Sequence, residues 1–121
     1  METVSCRYDI DELVKDMEVD LTIISTLYSE YFLEMKENLH KSEILCAEED
    51  YSALERILHN IKGTSISLNI KDIYYTALNL DNQLKNNKYE QAIYGIKTIN
   101  GLFNKAEKDI IEFFHQNGIE L

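Results

Sequence analysis

The sequence predicts an all-α fold, an antiparallel up-down four-helix bundle with a short additional N-terminal helix. The 121 residues contain no proline and only four glycines, a composition that favours long uninterrupted helices over a turn-rich β fold. Apolar residues recur every three or four positions through four long segments, as they do on the buried face of a helix. Four such segments with short connections pack naturally as a bundle.

The N-terminus is expected to be a loose tail over residues 1–8, so that one helical domain covers residues 9–121. Asp9, with Glu12 three residues later, forms a plausible capping box for a short helix that runs through Met17.

The next segment, residues 21–46, reads as a long core helix that Asp20 can cap. Its inward seam has a period close to the 3.5 residues of bundles and consists of Leu21, Ile24, Tyr28, Tyr31, Met35, Leu39 and Cys46. The acidic residues 48–50 then form a turn and place negative charge at the start of the following helix, where the helix dipole favours it.

The third long segment, residues 52–68, carries one apolar stripe and is expected to break at Asn69, which tolerates a positive φ. The stripe consists of Leu54, Ile57, Leu58, Ile61, Ser65 and Leu68. At about 100° per residue, His59 projects away from this stripe and towards solvent.

Two further seams complete the bundle. The first consists of Ile70, Ile73, Ala77, Leu80 and Leu84. Residues 82–88 are read as the polar exit from this helix and the loop after it. The second belongs to a last helix or helix pair over residues 89–116 and consists of Ala92, Ile96, Ile99, Phe103, Ala106, Ile110 and Phe113. Gly95 and Gly101 weaken the case for one straight helix, because each costs about 1 kcal/mol relative to alanine.

The composition restricts the possible partners and compartments. A net charge of −10 argues against nucleic acid, whose binders present basic patches. Cys6 and Cys46 fit neither a disulfide framework nor a metal cluster, so both are expected to be reduced. We find neither a signal peptide nor an apolar run long enough for a membrane span. We therefore expect a soluble, cytoplasmic, monomeric protein.

His59 lies among residues that would suit a docking partner carrying an anion. Lys62 and Gly63, three and four residues later, share its face and supply a cation and a gap without a side chain. Ile66 adds an apolar contact on the same face, and Glu55, one turn before the histidine, is a further candidate partner contact.

This stretch resembles the signature of histidine-containing phosphotransfer (HPt) domains, in which alanine usually precedes His-x-Leu-Lys-Gly-Ser-Ser and Leu-Gly follows. The matching residues are His59, Ile61, Lys62, Gly63, Thr64, Ser65 and Leu68. Leu58 stands where the family usually has alanine, and Asn69 stands where it usually has glycine. The resemblance extends over residues 20–114, including Ala77, Leu80 and Asp81, which match the family's Ala-x-x-Leu-Glu element.

The resemblance implies a phosphocarrier in a two-component phosphorelay. His59 would exchange a phosphoryl group with the aspartate of a receiver domain, on a response regulator or a hybrid sensor histidine kinase. Lys62 would stabilise transferred negative charge, Gly63 would keep the approach open, Asp81 would orient the imidazole, and Lys85 would be a second, weaker cation. No cofactor is implied. No segment is left over for a kinase or an ATP site, so we expect a phosphotransfer intermediate and not an autonomous enzyme.

Three alternatives remain open. The chain could be a helical docking domain that binds a receiver or kinase without carrying phosphate. Asp81 could form only a surface salt bridge with Lys85. Finally, Glu37-x-x-His40 and Glu112-x-x-His115 match the spacing of di-iron four-helix bundles. That third alternative is disfavoured because Glu112 lies off the apolar face and no other seam contains a glutamate.

Overall fold

The structure is a computed structural model and describes residues 8–121 of the chain. Five helices make up most of this part. They are α1 (Ile10–Met17), α2 (Leu21–Ala47), α3 (Tyr51–Ser67), α4 (Lys71–Lys85) and α5 (Ala92–Gln116). No strand occurs within these described residues, and the all-α prediction is confirmed. The long helices contact one another in the cyclic order α2, α3, α4, α5 and back to α2, while α1 packs on α2.

The starts of α1, α2 and α3 follow the sequence closely because aspartate side chains hold them. Asp9, Asp20 and Asp50 each accept a hydrogen bond from the backbone N–H three residues later, at 3.4, 3.0 and 3.2 Å respectively. Such caps satisfy backbone donors that have no partner inside the helix. The three predicted starts are therefore confirmed to within one residue.

The predicted tail extends one residue too far. Residues 1–7 lie outside the described part of the chain, but Tyr8 is buried in the hydrophobic core with only 2% of its surface exposed. Burial of its aromatic ring removes a large apolar area from water. The packed domain therefore includes Tyr8.

The C-terminal segment forms a single helix, α5, which passes through both glycines and is one of the two predicted arrangements. It differs from the prediction in two details, and the first is that it begins at Ala92 instead of residue 89. Tyr89 instead stacks on Tyr51 at 4.1 Å between ring centroids. Phe114 is fully buried, whereas the predicted core residue Phe113 is only half-buried. At about 100° per residue, Phe114 lies closer than Phe113 to the centre of the inward face that the other buried residues of α5 define.

Within residues 8–121, no helix combines the length and the apolar character that crossing a membrane requires.

Candidate functional site

The orientation of α3 is held by buried hydrogen bonds to α2. The Tyr28 hydroxyl donates to the backbone carbonyl of Leu68 at 2.6 Å, and the hydroxyls of Tyr31 and Ser65 are hydrogen-bonded at 2.8 Å. Ser65 is fully buried, and so are Leu54, Leu58 and Ile61 from the predicted stripe. With this face directed into the core, the opposite face of α3 must face outwards.

The end of α3 is fixed by a left-handed residue, as the sequence predicted. Asn69 has a φ of 61°, which is unusual for a residue other than glycine. The N–H of Ile70 donates to the carbonyl of Ser65, and the N–H of Asn69 donates to the carbonyl of Ile66, a Schellman arrangement. The Asn69 side chain also donates to the carbonyl of Asp9 at 3.3 Å, which ties this turn to the start of α1.

His59 lies on the outward face of α3 and is exposed, as predicted. Within residues 8–121, its imidazole forms no hydrogen bond and no ion pair. A reagent or a partner protein can therefore reach either ring nitrogen without displacing another side chain.

Lys62 does not extend freely into solvent beside His59. Its ammonium donates to Asp81 Oδ2 across the α3–α4 interface at 2.8 Å, and only 14% of its side chain is exposed. Lys85 approaches the same oxygen at 3.1 Å from one turn along α4, with 58% of its side chain exposed. Three of the predicted site residues thus form one ion cluster.

This cluster revises both roles that the sequence suggested for Asp81. The salt bridge with Lys85 exists, but Asp81 is 1% exposed and is not a surface residue. Its hydrogen bond goes to Lys62, and none joins it to the imidazole of His59. The Asp81 side chain is buried because it directly follows Leu80 of the apolar seam of α4 and packs against α3, where it binds Lys62.

The charge state of Asp81 is set by opposing effects. Burial by itself raises the pKa of the carboxyl, because it removes hydration from the charged form. The hydrogen bonds and charges of Lys62 and Lys85 outweigh burial, so the pKa lies below its usual value. Asp81 is therefore ionised at neutral pH and holds both ammonium groups.

Gly63 leaves open space on the face that carries His59. A Cβ built at this position would meet no atom within 4 Å, and the backbone has an ordinary helical conformation. Packing in the free protein therefore gives no reason for glycine here. Ile66 is 37% exposed on the same face, and Glu55 is half-buried.

A groove of about 330 Å³ lies beside α3 on the side towards α2. The residues that line it include Met17, Leu27, Glu30, Glu34, Thr64 and Ser67. Sequence reasoning missed this feature because its walls come from three helices and no single periodic pattern contains them. Thr64 follows Gly63 directly, so the groove adjoins the open face around His59.

The four residues of the di-iron alternative do not face the core. Glu37, His40, Glu112 and His115 are all exposed on α2 and α5. Glu37 pairs with Lys41 at 2.8 Å, and His115 Nδ1 lies 3.1 Å from Glu120. A di-iron bundle needs these side chains inside, converging with glutamates from the other helices. The observed placement does not bring them together.

Comparison of the chain with protein-family models, curated proteins and solved structures found no match to any of them.

Proposed function

We propose that the protein is a histidine phosphocarrier of the HPt type, which exchanges a phosphoryl group between His59 and the aspartate of a receiver domain. One observation carries the proposal: an exposed imidazole, without a hydrogen bond or ion pair among residues 8–121, lies one helical turn from a lysine that is already anchored and from a glycine whose Cβ position is open. These three features supply a nucleophile, a cation and room for a partner.

The chemistry requires only a neutral imidazole on the carrier. The ring nitrogen with a free lone pair attacks phosphorus, and a nitrogen–phosphorus bond forms as the phosphorus–oxygen bond to the donor's aspartate breaks. The aspartate carboxylate leaves with the bonding electrons. The proton on the other ring nitrogen stays on the phosphoimidazolium until water removes it. Catalysis of such a transfer depends mainly on position and charge.

The local charge favours phosphate although the whole protein is acidic. The net charge of −10 would repel a phosphoryl group at long range. In the cluster next to His59, however, two lysines face one aspartate, which leaves one net positive charge. The anion therefore meets a cation where it reacts.

The surface around His59 fits a protein partner. Gly63 permits close approach, Ile66 offers apolar area, and the groove extends the surface towards α2. Glu30 and Glu34 at the groove would meet basic residues of the partner. We infer that this partner is a receiver domain, on a response regulator or a hybrid sensor histidine kinase.

We also propose that the four long helices form an antiparallel up-down bundle. The cyclic contacts of α2, α3, α4 and α5, joined by short connections, support the antiparallel up-down bundle expected of an HPt domain. In this role the protein would act as a cytoplasmic monomer without a cofactor. It would be an intermediate that receives and returns phosphate and has no kinase activity of its own.

The test is incubation with a receiver domain phosphorylated on its aspartate. We expect acid-labile label on the wild-type protein and no label on His59→Gln. His40→Gln and His115→Gln provide matched controls, because they make the same change at exposed histidines on α2 and α5. Labelling retained in His59→Gln but lost in one control would move the site to that histidine.

The groove also favours a second candidate, a docking domain that binds a receiver without accepting phosphate. The same incubation separates the two functions. Complex formation without any acid-labile label would support docking and would exclude the phosphocarrier.

A further inference from the structure

Asp81 is the only charged residue that is buried among residues 8–121. One of its oxygens, Oδ2, receives both lysine ammonium groups, while Oδ1 is buried and accepts no hydrogen bond. A carboxylate without hydration depends strongly on the cations that remain near it. Asp81 therefore holds Lys62 more firmly than an exposed carboxylate would.

This attachment changes what Lys62 can do. A surface lysine is flexible and must lose that freedom whenever it contacts an anion. Lys62 has already lost it, because its ammonium is bound to Asp81 at 2.8 Å. An ammonium has three N–H donors, so Lys62 can contact a second anion without leaving the first. Lys62 lies three residues after His59, so the two side chains are neighbours on the surface of α3, and an anion bound to the imidazole would lie beside Lys62.

We propose that Asp81 is a positioning residue that fixes the Lys62 ammonium beside His59, so that Lys62 bridges the Asp81 carboxylate and the phosphoryl group on the imidazole. This inference rests on the proposed phosphocarrier function. Asp81 exchanges no proton and forms no bond to phosphorus. Lys85 approaches the same carboxylate oxygen at 3.1 Å from the solvent side, and 58% of its side chain is exposed, so burial restrains it less than Lys62.

The test compares single and double variants with phosphoramidate as donor, whose phosphorus–nitrogen bond breaks to release ammonia. Asp81→Asn keeps the shape of the side chain and removes its charge, and Lys62→Met keeps length without the ammonium. Each should slow labelling of His59 by about tenfold or more. Asp81→Asn releases the Lys62 ammonium and Lys62→Met removes it, so both variants lose the same fixed cation. The labelling rate of the double variant should therefore equal that of the slower single variant. Lys85→Met, the matched control, should have a smaller effect.

A second measurement follows the Lys62 ammonium by ¹H–¹⁵N NMR. In the wild type its signal should be protected from solvent exchange and should shift when His59 is phosphorylated. In Asp81→Asn the protection should disappear. The wild-type part of this measurement needs no variant, so it decides the matter even if Asp81→Asn is poorly folded.

Three results would overturn the positioning role: multiplied effects in the double variant, an unchanged rate in Asp81→Asn, or a Lys62 signal that phosphorylation leaves in place. Multiplied effects would mean that Asp81 acts independently of Lys62. These outcomes are distinct from failure of the phosphocarrier function. In that case the wild type would accept label from neither donor, and the inference that depends on it would fail as well.

Discussion

Two glycines on the helices that flank α4 have opposite surroundings: Gly95 of α5 faces Leu80 of α4, whereas Gly63 of α3 is exposed on the outward face of its helix. On the α5 side, a Cβ at Gly95 would lie 2.7 Å from the Cδ2 atom of Leu80, so this buried side chain would have to shift to admit it. On the α3 side, a Cβ at Gly63 would meet nothing within 4 Å, and the buried ion pair of Lys62 and Asp81 joins the helices.

Each glycine lowers helix stability by about 1 kcal/mol relative to alanine, but only one of them is needed for packing. Gly95 has a structural reason that is visible in the free protein. Gly63 has none there, which is why the proposed function assigns it to a partner. Gly101 on α5 is a useful reference, because its Cβ would also meet nothing within 4 Å.

The largest expected effect is on the α5 side. Gly95→Leu should lower the free energy of unfolding by about 3 kcal/mol, because the new side chain must displace buried Leu80. Gly63→Leu should not lower it, since the space there is open. Urea denaturation of the two variants measures the difference. In a double variant with Leu80→Ala, the combined loss should be smaller than the sum of the single losses. Equal stability of the two leucine variants would contradict the comparison.

The next effect is on the α3 side. Lys62→Ala should lower the free energy of unfolding by about 1–3 kcal/mol, because the buried Asp81 carboxylate loses one of its two cations. The matched variant Lys85→Ala removes an ammonium from a side chain that is 58% exposed and should cost less than about 1 kcal/mol. A Lys85 variant as unstable as the Lys62 variant would show that the two lysines hold Asp81 equally.

Acid should weaken the same interface. The pKa of Asp81 is lowered from 3.8 in the folded protein, so its ion pairs stabilise the fold above that pH. This contribution is lost as the pH falls from 3.8 through the lower folded-state pKa. The wild type should therefore lose stability relative to Asp81→Asn in that range, and the difference should be constant at higher pH. Urea midpoints measured across the acid range would show it, and parallel curves for the two proteins would refute it.

Local features of the sequence predicted most of the fold. Aspartate caps and the helical period act over a few residues, so the starts of α1, α2 and α3, the all-α class and the outward direction of His59 could be found from the sequence. Phase errors accumulate along a helix, which is why Phe113 was chosen in place of Phe114 near the end of α5. The pairing of Lys62 with Asp81, 19 residues apart, depends on how α3 and α4 pack and was missed. The close contact of Gly95 with Leu80 was missed for the same reason, whereas the open position of Gly63 followed from the helical period.

The smallest expected effect is also the sharpest test of Gly63. Gly63→Gln should raise the free energy of unfolding by up to about 1 kcal/mol, because glutamine favours the helix and the unfolded chain loses freedom. Gly101→Gln should do the same, since both positions are exposed and open. The stabilities alone therefore do not distinguish the two positions.

Phosphotransfer should distinguish them. In Gly63→Gln the added side chain stands between His59 and a docked receiver, so transfer from the receiver should fall by about tenfold, a barrier increase of about 1.4 kcal/mol. In Gly101→Gln, on a different helix, transfer should stay at the wild-type rate. Phosphoramidate needs no docked protein and should label Gly63→Gln nearly as fast as the wild type. If both donors slow equally in Gly63→Gln, the glycine serves the chemistry at His59 or the helix itself, and its assignment to partner docking is wrong.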